Sequence, residues 1–122
     1  MNFIENMKLL LNLIKYTAKG FSVCKTFQIL ELKKQNLQDD VVEFGTINYQ
    51  ESLIKYHSKK PKKIFFSNLL NLRKKNYYCI DLEKKNKIKK RFKNILAFNI
   101  LEHIHNDSFA LDELKKLLKK KG

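Results

Sequence analysis

The stretch "VVEFGTINY", residues 41–49, decides how the rest of the chain is read. Two valines, a glutamate and a phenylalanine make a short run of the kind buried in a sheet. The glycine behind them permits a turn that a side chain would hinder. Three later stretches repeat this texture: "KIFFS" (63–67), "YYCIDL" (77–82) and "NILAFNI" (94–100). Apolar strands alternating with helical or loop segments point to a mostly parallel α/β sheet of about four strands. "YQESLIKYH" (49–57) is expected to be helical, and Pro61 punctuates the basic turn behind it. The link over 68–76 is short for a crossover helix.

Outward from this sheet, residues 2–18 carry Phe3, Ile4, Met7, Leu10, Leu11 and Ile14 at amphipathic helical spacing, with Gly20 as the stop. A second helix is expected over 22–36, with Val23, Phe27, Leu30 and Cys24 on one side. Residues 1–38 therefore form a helical leader and 39–122 the α/β unit. The leader's commoner use would be to cover one face or edge of the sheet; as basic amphipathic helices the pair suits a membrane surface or a docked partner as well. At the other end, Ala110, Leu111, Leu114, Leu117 and Leu118 make one helical stripe, with Asn106, Asp107 or Ser108 as N-cap and the lysines of "KKKG" at the C-terminus.

Composition narrows the class. The chain has 122 residues, enough for one modest core, with 43% hydrophobic and 31% charged residues. The longest apolar stretch, "LLLNLI" (9–14), is too short to cross a bilayer, and no signal-peptide pattern is present, so the cytoplasm is expected. Cys24 and Cys79 stand alone and read as reduced packing residues, not metal ligands. The net charge of +14 suggests an anionic partner, but 24 of the 26 basic residues are Lys, spread along the whole chain. Base readout and bidentate phosphate clamps favour Arg, so no specific nucleic-acid partner is expected.

Ligands of parallel α/β sheets bind outside the carboxyl ends of the strands. Two acids end strands there: Glu43, followed by Gly45, and Asp81, which equally suits a turn or cap. The third piece, "NILAFNILEHIHNDSFALDELKKLLKKKG" (94–122), resembles class I S-adenosylmethionine-dependent methyltransferases of the type 11 group: an apolar strand, Leu-Glu-His-Ile, a polar turn and an amphipathic helix ending in Leu-Lys-Lys-x-Gly. "VVEFG" and "YYCIDL" fit that family's order and spacing, so the resemblance runs over about 39–122.

The resemblance implies a partial Rossmann-like sheet, S-adenosylmethionine as cofactor, and a small molecule or saccharide precursor as methyl acceptor. Glu43 falls on the family's acid near the methionine part, and Gly45 on the first glycine of its loop. Asn68 stands where an acid holds the ribose, and Asp81 where an acid meets the adenine amine. Asn99 ends strand four near the meeting of cofactor and substrate. Glu102 and His103 belong to the "LEH" signature, which makes His103 the candidate catalytic residue. Ile47 and Tyr49 replace the second and third loop glycines and are expected to crowd the cofactor's path. Strand five of the family would begin near Gly122, so a shortened domain of weak or absent activity is expected. An open sheet edge would then suit a homodimer or a partner chain. His103 and His105 lie two residues apart, and on a helix they would point away from each other. A basic nucleic-acid or membrane-surface module ranks third.

Overall fold

The computed structural model describes residues 2–122. Two helices lead, α1 (Phe3–Ala18) and α2 (Val23–Lys34), followed by strand β1 (Asp40–Phe44) and a 3-10 turn (Leu53–Tyr56). Strands β2 (Lys63–Asn68), β3 (Tyr77–Cys79) and β4 (Asn94–Leu96) come next, then a second 3-10 turn (Leu101–His103) and helix α3 (Asp107–Leu117). Each helix starts on a side-chain cap: Asn2 with a reciprocal bond from Glu5 for α1, Ser22 for α2 and Asn106 for α3.

The four strands form one all-parallel sheet in the order β3-β2-β1-β4. That is the order of the first four strands of a doubly wound dinucleotide-binding sheet. β1 is central and all five of its residues are buried. Val42 and Phe44 point to one face and pack with Phe65, Phe92 and the Ala110, Leu114 and Leu117 stripe of α3. Val41 points to the other, where Ile29 and Leu32 of α2 meet Leu53, Ile54 and Leu96. The sheet thus lies between α3 and α2, with apolar residues on both faces, as a parallel sheet requires.

Several expectations need correction. "YQESLIKYH" yields only one 3-10 turn, because Ser52 and the Leu53 N–H are drawn to the Glu43 carboxylate. The third and fourth strands stop at Cys79 and Leu96, short of the stretches read as strand. Leu111 is 51% exposed and Leu118 lies beyond the helix end, so the buried stripe of α3 takes in Glu113 instead, held by Lys116 and Asn86. Cys24 and Cys79, read as packing residues, are both exposed. The leader divides: α2 covers the sheet, whereas α1 lies against α2 with Tyr16 buried and leaves its apolar stripe exposed. The β2–β3 link has no helix; Asn76 turns it with φ 57° and the Tyr77 hydroxyl donates to the Leu70 carbonyl at 2.6 Å.

Beyond α3, Leu118 pairs in parallel with Phe92. The Phe92 N–H donates to the Leu117 carbonyl at 2.7 Å and the Lys119 N–H to the Phe92 carbonyl at 2.9 Å. This single rung lies on the outer side of β4. Asp40 braces it from the start of β1, accepting from the Lys93 N–H at 2.7 Å and from Lys119 Nζ at 3.0 Å.

Candidate functional site

The carboxyl ends of β1, β2 and β3 open onto a cavity of about 250 Å³. Gly45, Ser67, Asn68 and Asp81 line it from the strand ends, and Leu69, Leu82, Ile100 and Ile104 give it apolar walls. β1 ends here because Gly45 takes φ 88°, a left-handed turn that glycine adopts freely. The Gly45 N–H still donates to the Ser67 carbonyl at 2.8 Å, which ties the turn to β2. Alternation along β2 buries Ser67, and its hydroxyl has no hydrogen-bond partner among the described residues.

Asp81 accepts from the Glu83 N–H at 3.0 Å and pairs with Lys84 at 3.2 Å. The Glu83 N–H, and then Lys84, hold its carboxyl below the ordinary 3.8, so it is negatively charged at neutral pH. Asn68 accepts from the Leu69 N–H at 2.7 Å, leaving its amide nitrogen available. Glu83 accepts from the His105 N–H at 2.9 Å and pairs with its ring, which pins the far wall to the loop before α3.

A second cavity, about 510 Å³, opens on the α2 side of the same edge. Glu43, Thr46, Gln28 and Asn99 line it. Asn99 sits in the left-handed region at φ 55° and accepts from the Gln28 amide at 2.7 Å. The Thr46 hydroxyl is buried and unpartnered among the described residues. Glu43 is only 2% exposed, accepting from the Ser52 hydroxyl and from the Leu53 N–H at 3.2 Å. Burial pushes its carboxyl above the ordinary 4.5, against the downward pull of those two bonds.

The sequence-derived residues thus reach one sheet edge but fall into two chambers. Asn68, Asp81 and His103 line the first, Glu43 and Asn99 the second, and Gly45 borders both. Ile100 also borders both, and its side chain packs onto Gly45. Neither Ile47 nor Tyr49 lines these chambers, and Tyr49 turns out beneath Lys60. The residues that sequence reasoning missed are Ser67, Thr46 and Ile100. Period-two burial along β2 signals Ser67; the other two have no local signal.

His103 stands in a single exposed turn, 3.7 Å from Glu102, and His105 points instead to Glu83. His57 is half-buried, with its ring nitrogens against the carbonyls of Gln35 and Lys59. No group of acids, cysteines and histidines suits a metal ion, and no helix is long and apolar enough to cross a membrane, among the described residues. No family model matches the chain, and no curated protein or solved structure matches it either.

The first chamber sets polar and apolar groups side by side. It offers a charged carboxylate, an unpartnered buried hydroxyl and apolar walls. Its volume of about 250 Å³ lies just below the about 300–1,000 Å³ of pockets that hold drug-sized ligands.

Proposed function

We propose that the chain is an S-adenosylmethionine-binding domain of the class I methyltransferase kind, with weak methyl transfer to a small molecule or saccharide precursor. The observation that carries this reading is the convergence of Gly45, Ser67, Asn68 and Asp81 on one apolar-walled cavity outside three adjacent parallel strand ends. Asp81 accepts from the adenine amine, Ser67 and Asn68 meet the ribose hydroxyls, and Leu69, Leu82 and Ile100 enclose the base. The bound cofactor supplies an electrophilic methyl group on a sulfonium. The chain's own part is positioning, which carries most of the effect in such transfers.

The methionine end and the acceptor belong in the second chamber, beside Thr46 and Asn99. Glu43 is committed to Ser52 and Leu53, so it shapes that chamber's wall. Ile100 packs on Gly45 where the two chambers meet, so in this reading it obstructs the path between them and keeps transfer weak.

Isothermal titration with S-adenosylmethionine and S-adenosylhomocysteine tests this. Saturable binding is expected, weakened about tenfold or more in Asp81→Ala, the scale of one hydrogen bond to a charged group. No binding up to millimolar cofactor from folded protein would overturn it.

A second reading, a non-catalytic domain that takes a partner strand, is favoured by the Leu118 rung. Beside it a groove of about 400 Å³ follows the outer side of β4, lined by Asn36, Asn94, Leu96 and Leu118. Concentration-dependent dimerisation in light scattering, lost when Asn94 is replaced by Pro, would support that reading.

A further inference from the structure

The outer face of α1 is the largest apolar feature of the chain that its own fold leaves unused. Phe3, Ile4, Met7, Leu10, Leu11 and Ile14 are between 47% and 78% exposed. At 3.6 residues per turn they fall within an arc of roughly 120°. On the opposite face Tyr16 is buried with Ile29 and Leu32 of α2 and Leu9 and Leu13 are half-buried, so the stripe can meet a surface without any part of the fold opening. Exposed Lys8, Lys15 and Lys19 follow one flank of the stripe. The one acid of the helix, Glu5, is engaged in the capping box with Asn2.

We infer that α1 docks this chain, stripe down, on an anionic lipid surface. Charge complementarity selects the occupant: a chain of net charge +14 presents six large apolar side chains with lysines beside them. That is the pattern of a helix lying in the headgroup plane, apolar residues among the acyl chains and lysines reaching up to anionic headgroups. A second copy of so basic a chain would meet like charge at the same flank. This inference is independent of the adenosyl site, which opens at the sheet edge and includes no residue of α1.

The test is co-sedimentation of the full chain with vesicles of phosphatidylcholine alone, or with phosphatidylglycerol added. Binding to the anionic vesicles is expected to be at least about tenfold stronger and to fall with salt. Leu10→Ser, Leu11→Ser and Ile14→Ser together should abolish it while leaving circular dichroism unchanged, because all three side chains are exposed. Lys8→Gln, Lys15→Gln and Lys19→Gln together should remove the preference for anionic lipid. Undiminished sedimentation of the triple-serine variant would overturn the inference. So would a wild type that ignores vesicles and dimerises through the stripe, with the triple-serine variant monomeric.

Discussion

Ile100 packs onto the Cα of Gly45 so closely that a Cβ there would lie 2.7 Å from Ile100 Cδ1. Both residues border the two chambers at the carboxyl edge of one parallel sheet. It also gives glycine a second reason to stand at position 45, beside its φ of 88°. Ile100 is half-buried and packs at the rim of the core under α3.

Ile100→Ala should join the chambers. The expected result in calorimetry is about tenfold tighter binding of S-adenosylhomocysteine, as the cost of displacing the side chain disappears. Stability should fall by no more than the lower end of the about 2–5 kcal/mol typical of buried Ile→Ala, because the site is only half-buried. Gly45→Ala should instead destabilise by more than about 1 kcal/mol and weaken binding, since both the left-handed backbone and Ile100 oppose a methyl group.

Glu43 sets a pH dependence. Burial raises its carboxyl above 4.5 in the folded chain, so the folded state holds the proton more tightly than the unfolded one. Stability through this group therefore declines as pH rises from 4.5 through the folded value, and the decline is complete above it. Glu43→Gln keeps the shape and an oxygen for the Leu53 N–H but does not titrate. Its urea midpoint at pH 8 should equal or exceed the wild type's, with a smaller change between pH 5 and pH 8. An equal loss of stability at both pH values would count against this account.

Asp40 works in the opposite sense. Burial favours its neutral form, but the Lys93 N–H, Lys119 and Lys90 outweigh that and hold the carboxyl below 3.8. Its contribution is present above 3.8 and is lost as pH falls through the folded value. Asp40→Asn should cost about 1.5–3 kcal/mol at neutral pH, the range for hydrogen bonds to a charged group. The loss, read by urea unfolding, should shrink toward pH 3. Amide exchange at Phe92 and Lys119 should quicken in the variant, because Asp40 braces that rung.

The parts of this fold visible in the sequence are those whose physics is local. β1 shows as an apolar run with a glycine behind it, and α3 as a stripe behind Asn106. The 49–57 stretch misled because its helical spacing competes with a buried carboxylate ten residues upstream of Leu53. α1 displays an amphipathic pattern, but periodicity cannot say that Leu9, Leu13 and Tyr16 face inward while the stronger stripe faces out. The site residues are legible as strand-end acids, Glu43 and Asp81. Their division into two chambers is not, because it depends on Ile100 meeting Gly45 across 55 positions of chain. Ser67 and Thr46 are similarly hidden, since an unpartnered hydroxyl is a property of what surrounds it.

The most direct test of the proposed adenosyl site is amide chemical-shift mapping during titration with S-adenosylhomocysteine. The account predicts the largest shifts at Gly45, Ser67, Leu69, Leu82 and Glu83 around the first chamber, with residues of α2 following only in Ile100→Ala. Shifts confined to α2 and Asn99, or no saturable shift at all, would contradict it.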